Sequence, residues 1–336
     1  MKINKKDLLK KLEAVKPGLS NKEIIEFADS FSFTNNTILT YNDFICVKCP
    51  TELDIQGTIK AEHFYKIINK VKSDSEGNID LKLNDNELII SANKSKAGIP
   101  INLEGKLSLD ELGKEVKKWN KLPDDFMEGI RLSVFSASND ASNPKLTCLH
   151  INKDIIESSD GQRAFKYKLN KKIKEEFLLP KFSVPALLNH VIQYYSISQN
   201  WIHFKTKEDV IISCRMYEDI SFPDTDFLFD IKGPKFKFPN QIKDSIDRAI
   251  VFIGSDDEEN ISISIKNKLI LIQSRSDHGW FKEKVPLKSK NELSFDINPF
   301  FLKDILKSSN KCLISEKGLM KFSTDTWDYV INISVD

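Results

Sequence analysis

The sequence predicts an α+β protein built from three pseudo-repeated domains, each with two helices packed on antiparallel sheets. Three observations predict it. The order helix, hairpin, helix, hairpin recurs three times along the 336 residues, the matching elements recur at near-constant intervals, and the composition is that of a globular chain too long for one core.

In the first third, DLLKKLEAV sets Leu8, Leu9, Leu12 and Val15 on one helical face. NTILTYNDFICVKC follows as a hairpin with Asn42 and Asp43 in the turn. AEHFYKIINKVK is the second helix, with Phe64, Ile67, Ile68 and Val71 on one side. NIDLKLNDNELIISA closes the unit, turning at Asn84, Asp85 and Asn86. The middle third keeps the order. PDDFMEGIRLSVFSAS spaces Phe126, Ile130 and Val134 helically behind Pro123, and KLTCLHINKDIIESS reads as a hairpin. FSVPALLNHVIQ predicts a helix through Leu187, Leu188, Val191 and Ile192, and WIHFKTKEDVIISCRM the closing hairpin.

The final third runs PNQIKDSIDRAIVF, NISISIKNKLILIQS, NPFFLKDILKSS, then KCLISEKGLMKFS and DYVINISV. The first apolar residues of the leading helices, Leu8, Phe126 and Ile242, lie 118 and 116 residues apart. Those of the second helices, Phe64, Leu187 and Phe301, lie 123 and 114 apart. Charged and Gly/Pro-rich stretches at LGKEVKKWNK and FDIKGPKFKF put the expected boundaries at 1–117, 118–230 and 231–336.

Composition narrows the function. Hydrophobic residues at 40% and charged residues at 29% exclude a disordered chain. No apolar run reaches the roughly 18–20 residues of a membrane span, and MKINKKDLLKKLEAV lacks a signal-peptide core, so the expectation is a cytoplasmic protein. Fifty Lys and Arg against 49 Asp and Glu leave a formal charge of +1, so any grip on DNA needs its basic residues gathered on one face. Cys46 and Cys49 form a C-x-x-C, but no second pair completes a zinc site. A spacing of three in a strand also sends the two side chains to opposite faces. Cys46, Cys49, Cys148, Cys214 and Cys312 read as reduced structural residues. His63, His150, His190, His203 and His278 show no ligand spacing, and neither a P-loop nor H-E-x-x-H occurs. The acidic run Ser255 to Asn260 is the best argument for a metal-dependent nuclease, and it sits where a loop is expected. The expectation is a non-enzyme with no metal and no cofactor.

Particular segments resemble the bacterial DNA polymerase III β-type sliding clamp family. SSDGQRAF (Ser158 to Phe165) is similar to the family's Thr-Asp-Gly-His-Arg-Leu segment: Asp160, Gly161 and Arg163 match, while Gln162 and Ala164 differ. FLLPKFSVPALLNH resembles the family's strand, proline and helix entry. FPDTDFLF (Phe222 to Phe229) resembles its Phe-Pro-Asp-Tyr linker, with Thr225 for the Tyr. DLLKKLEAVKPGLSNK, DRAIVFIG and LSFDINPFFLKDIL follow its first-domain and third-domain helices in order. The ending VINISVD departs from the family's Met-Pro-Met-Arg-Leu-like tail, and the chain is short and less acidic, which implies a divergent member with a modified partner pocket.

The resemblance implies a DNA clamp fold that closes as a homodimer ring around double-stranded DNA. A clamp must hold DNA without reading it, which phosphate contacts from Lys and Arg allow. The basic residues opposite the apolar stripes are Lys6, Lys10, Lys66, Lys70, Lys243, Arg248, Lys303 and Lys307. The family adds Lys22, Lys94 and Lys96. The middle third contributes little, since Asp124, Asp125 and Glu128 face Arg131 alone. The implied head-to-tail seam joins Lys96, Ile99 and Ile101 of one copy to Val251 and Phe252 of the next. Short peptides of a replicative polymerase, a clamp loader and other clamp-binding proteins are expected to dock on Leu146, Ser159, Gly161, Gln162, Arg163, Pro223, Phe227, Leu228, Val330 and Ile331. The alternative is a clamp-fold scaffold that encircles nothing.

Overall fold

The computed structural model describes residues 1–20, 25–105, 107, 116, 118–253, 259–287 and 292–335. One order of elements is run through three times. The first pass is β1 (Lys2–Asn4), α1 (Lys5–Val15), β2 (Ser30–Thr34), β3 (Thr37–Tyr41), β4 (Ile45–Pro50), β5 (Gly57–Lys60), α2 (Ala61–Lys70), β6 (Asn78–Asn84), β7 (Glu87–Ala92) and β8 (Ser95–Pro100). The second is β9 (Asn120–Lys121), α3 (Phe126–Ser133), β10 (Cys148–Asn152), β11 (Ile155–Ser159), β12 (Arg163–Lys168), β13 (Phe177–Pro180), α4 (Val184–Leu188), β14 (Ile192–Ser198), β15 (Trp201–Thr206) and β16 (Ile211–Arg215). After the single turn α5 (Asp226–Phe229), the third is β17 (Lys235–Lys237), α6 (Ile242–Ile250), β18 (Ile261–Lys266), β19 (Leu269–Ser276), β20 (Gly279–Pro286), β21 (Leu293–Ile297), α7 (Pro299–Leu306), β22 (Lys311–Ser315), β23 (Leu319–Ser323) and β24 (Trp327–Asn332). A short β25 (Ser334–Val335) follows.

A single kind of hydrogen bond marks the repeat. The Thr40 hydroxyl donates to the Val15 carbonyl, Ser158 Oγ to Ser133 O at 2.5 Å, and Ser274 Oγ to Ala249 O at 2.8 Å, each across 25 residues. In every pass it ties the leading helix to the second strand behind it, where a buried hydroxyl needs a partner.

Local chemistry explains the elements. Asn4 caps α1, its side chain accepting from the N–H groups of Lys6 and Asp7, and Leu8, Leu12 and Val15 are buried one turn apart. The tight hairpins carry Asn or Asp in the left-handed region, at Asn35, Asn36, Asp43, Asp85 and Asn267. The middle third's second helix is shorter than the spacing predicts. It starts at Val184, with Pro185 in its first turn, and stops at Leu188, leaving Val191 76% exposed and Ile192 opening β14. There the two-residue alternation of IQYYSIS outweighs the helical spacing. Val134 likewise falls in a 3-10 turn after α3.

The described residues form two compact units, Met1–Met127 with Leu179–Asp219, and Glu128–Leu178 with Ile220–Asp336. Their boundaries cut through the middle pass, because each large sheet joins halves of successive passes. Unit 1 holds a four-stranded sheet, β1-β6-β7-β8, and an eight-stranded sheet, β5-β2-β3-β4-β16-β15-β14-β9. Unit 2 is built on β13-β10-β11-β12-β24-β23-β22-β17 and on a five-stranded sheet, β20-β19-β18-β21-β25. The join is antiparallel both times, β4 on β16 and β12 on β24. A third join does not occur within the chain: β8 and β20 each end a sheet with an open edge among the described residues.

All five cysteines are free and buried. Burial pushes the Cys46 thiol up to about 12, so it stays protonated and unreactive at neutral pH.

Candidate functional site

The Ser158 to Phe165 segment is the β11–β12 turn of unit 2. Asp160 shapes it, its Oδ1 accepting from the N–H groups of Gln162 and Arg163 at 3.0 Å each and its Oδ2 from Arg163 Nε at 2.8 Å. Gly161 sits at φ +90°, a conformation L side chains rarely adopt, and a Cβ there would meet nothing within 4 Å. Its role is thus the turn itself. Ser159 is buried and holds the turn closed, donating to Arg163 O at 2.8 Å and accepting from Gly161 N at 3.1 Å. The Arg163 guanidinium lies 3.9 Å over the Phe301 ring, with an Asp304 oxygen at 3.8 Å.

Beside this turn Ala164, Phe229 and Val330 form a buried apolar cluster, with Leu228 and Leu319 packed half-buried against it. Val330 is the buried floor, while Ile331 and its strand partner Arg163 point to the opposite, helix-covered face of the sheet. Leu146, Pro223 and Leu228 are partly open, and Gly161 and Gln162 exposed. Phe227 stands 69% exposed, and the packed aromatic is its neighbour Phe229. Of the site residues expected from sequence, Val330 and Leu228 thus share one apolar cluster beside the Ser159–Gln162 turn, with Phe227 free-standing next to it, whereas Arg163 and Ile331 lie on the other face of the sheet. Asn332 N donates to Gln162 O at 2.8 Å, so the end of β24 adjoins the turn.

The sequence reading missed the groups that hold the segment from Phe222 to Phe229 in place. His150 stacks on Phe222, ring centroids 5.2 Å apart, and bonds Glu157 at 2.7 Å and Glu176 at 2.8 Å. Glu157 accepts from the Thr225 hydroxyl at 2.8 Å, Lys166 pairs with Asp226, and Lys321 Nζ donates to Phe229 O at 2.8 Å. His150, Glu157, Lys166 and Asp328 form a row across β10, β11, β12 and β24. Burial pushes the His150 imidazolium down, but its two carboxylate partners outweigh that and raise it above the ordinary value. Polar residues breaking otherwise apolar strands were the signal available.

The basic candidates divide by their neighbours. Lys6, Lys10, Lys70, Lys94, Lys96 and Lys243 are exposed, and none makes an ion pair among the described residues. Lys66 pairs with Glu62 on its own helix, and Lys307 with Asp304 at 3.0 Å. Arg248 makes a two-pronged bond to Glu283, and Lys303 reaches Asp247 on α6 at 2.6 Å. Lys243 and Lys307, with Lys311, line one polar recess of about 500 Å³. Lys22 and residues 255–258 of the acidic run lie outside the described residues.

Of the seam candidates, Lys96 and Ile99 are on the open strand β8, and Ile101 follows it. The Ile99 and Ile101 side chains are buried in their own unit, so only their backbone can meet another chain. Val251 is 70% exposed, and the Phe252 ring lies against Gly279, where β20 begins. β20 itself, with Trp280 68% exposed, went unread. Its signal was the alternating run GWFKEKVP behind a turn at Asp277 and His278. Among the described residues, no group of three or more His, Cys, Asp or Glu is placed to hold a metal ion, and no helix is long and apolar enough to cross a membrane.

No protein-family model matches the sequence, and no curated protein matches it. Solved structures do match the fold. The DNA polymerase III beta chain of Streptococcus pneumoniae has a TM-score of 0.84 at 19% identity, over 99% of this chain and 98% of that one. The beta subunit from Thermotoga maritima has 0.81 at 16%, again over 99% and 98%. A Pseudomonas aeruginosa sliding clamp, solved bound to griselimycin, has 0.81 at 15% with the same coverage. The chain thus has the fold of DNA polymerase III beta sliding clamps from end to end.

Proposed function

We propose that the chain is a DNA sliding clamp, a non-catalytic processivity factor. Two copies close head to tail around duplex DNA, giving six repeats from the three per chain bounded at 1–117, 118–230 and 231–336. The observation that carries this is the pair of open edges. Two of three equivalent strand joins are made within the chain, and the third would pair β8 of one copy with β20 of the other. A heterologous contact of this kind closes a ring when the rotation per repeat is right. Closure also covers two edges that would otherwise template aggregation.

Unpaired lysines on the helices supply attraction to phosphates without sequence readout, so the ring can slide. Lys6, Lys10, Lys70 and Lys243 are the strongest contributors, because their charge is not already offset. Lys66, Arg248, Lys303 and Lys307 are weaker ones. Short apolar-anchored peptides of a replicative polymerase, a clamp loader and other partners dock at the half-open rim made by Leu146, Gly161, Pro223, Phe227 and Leu228, a few buried anchors carrying most of the affinity. No cofactor is required, and the site of action is the cytoplasm, with the replicating DNA.

Two measurements test the reading. Light scattering after size exclusion should give about twice the 38.6 kDa chain mass. Loaded protein should survive a salt wash on nicked circular DNA and leave once the circle is linearised. Equal retention on linear and circular DNA would sink it.

A further inference from the structure

The two eight-stranded sheets carry the same turn at the same place. In unit 1, Asn42 Oδ1 accepts from the N–H groups of Phe44 and Ile45, as Asp160 does from Gln162 and Arg163. Arg215 N donates to Phe44 O at 2.8 Å, as Asn332 N does to Gln162 O at 2.8 Å. Strand registers then align the sites residue by residue. Tyr41 lies opposite Cys46 as Ser159 lies opposite Ala164, and Trp201 opposite Arg215 as Leu319 opposite Asn332. Unit 1 therefore contains a second copy of the framework on which unit 2 builds its half-open rim.

The contents differ in one direction. Where unit 2 has Ser159 and the half-buried Leu319, unit 1 has Tyr41 and Trp201, exposed by only 6% and 2%, with ring centroids 6.3 Å apart. Both belong to a buried cluster with Leu39, Cys46 and Leu107, against which Ile25 and Phe27 also pack. Arg215 lies across the top, 5.2 Å over the Trp201 ring, bonded to the Tyr41 hydroxyl at 3.2 Å and to Asp43 at 2.9 Å. Asn332, its counterpart, reaches only the Gln162 amide, at 3.5 Å.

We propose that unit 1 holds a duplicate of the peptide-docking site, closed from within by Tyr41 and Trp201 under an Arg215–Asp43 lid, and that these residues confine docking to one site per chain. The inference rests on the docking reading of unit 2. Two aromatic rings occupy the volume that an apolar peptide anchor would enter, and interiors packed at crystal density leave no room for both. The side chain at the position of Ser159 and Leu319 thus decides whether the framework is a site or a core.

Transplanting the plug tests this. The probe is a fluorescein-labelled hexapeptide ending in Leu-Phe, followed by anisotropy and by calorimetry for stoichiometry. Wild type should bind one peptide per chain. Ser159→Tyr with Leu319→Trp should lower the melting temperature, because the Ser159 bonds are lost, yet in the folded protein weaken binding at least tenfold while dimer mass stays unchanged. If that pair does not fold, Leu319→Trp alone, at a half-buried position, should weaken binding several-fold. The converse, Tyr41→Ser with Trp201→Leu, should raise the stoichiometry towards two. Wild-type affinity in the folded transplants, or two peptides per wild-type chain, would overturn the inference and leave docking in unit 2 standing. A wild type that binds no peptide would overturn both.

Discussion

Two histidines in unlike surroundings give this protein opposite pH responses. His203 is buried between Ser198 Oγ and Ser213 Oγ, each 2.7 Å away. Burial, then the charge of Lys48, depresses it to about 4. As pH falls below about 6.5 the unfolded chain takes a proton that the folded protein refuses, so His203 erodes stability on the acid side. His150 does the reverse. Its folded value is raised, so its contribution is complete below about 6.5 and fades as pH rises through that raised value. Glu157, buried but bonded to His150 and Thr225, is held below the usual carboxylate range, and its contribution fades as pH falls through that lowered value. The pair therefore stabilises most between about pH 4.5 and 6.5. His150→Gln should cost about 1–3 kcal/mol near pH 5.5, and the gap from wild type in urea midpoints should narrow above pH 7. An equal gap at pH 5.5 and pH 9 would show that the imidazolium contributes nothing. From sequence His150 was one of five scattered histidines. Its carboxylates, seven and 26 residues away, come together only once β11 and β13 flank β10 in the sheet.

At the scale of elements, most of the fold was legible because apolar side chains recur at helical or strand spacing. Leu8, Leu12 and Val15 on α1, and Phe64 and Ile68 on α2, are buried as that spacing requires. Spacing can report a pair within one helix, as for Lys66 and Glu62, but not which outward basic residues are neutralised by a carboxylate on another element. Asp247 on α6 answers Lys303 on α7, and Glu283 on β20 answers Arg248. This separates the helix lysines experimentally. Replacing Lys243 or Lys70 by Ala should reduce the salt dependence of unloaded binding to a short linear duplex by about 0.9 in the log–log slope for each phosphate no longer neutralised. Lys303→Ala should leave the slope nearly unchanged, since that ammonium is already paired. Equal effects from paired and unpaired positions would mean that the ion pairs open on DNA and that the helices bind as one basic field.

For the whole molecule, the repeats were legible and the open-edged strand β20 was not. In β20 neighbouring side chains are half-exposed or exposed almost throughout, so alternation there resembles a polar loop. Its meaning lies in the two joins that the chain does make. Cys46 pairs with Ser213, and Ala164 with Val330. Counting from the bond that marks each repeat, Thr40 faces Val47, Ser158 faces Phe165 and Ser274 faces Phe281, so Trp280 takes the place of Cys46 and Ala164. Ile89 pairs with Gly98 where His203 pairs with Ser213 and Lys321 with Val330, so Gly98 takes the place of those two. The third join would therefore set an exposed tryptophan opposite a glycine, a large residue against the smallest, where the other joins pair cysteine with serine and alanine with valine. Directly opposed residues of antiparallel strands bring their Cβ atoms to about 4.5–5.5 Å, within reach of a disulfide after modest adjustment. A cysteine at Gly98 would also need the flexible Glu87 carboxylate to step aside. Mixing Gly98→Cys protein with Trp280→Cys protein under mild oxidation should give a covalent dimer on a non-reducing gel, and the double variant should lock both seams and resist dissociation on dilution. The shifted pair, Gly98→Cys with Lys282→Cys, should cross-link far less. Equal cross-linking of the shifted pair, in protein that light scattering finds dimeric, would refute this register while leaving the ring intact, and a chain that stays monomeric at high micromolar concentration would remove the ring as well.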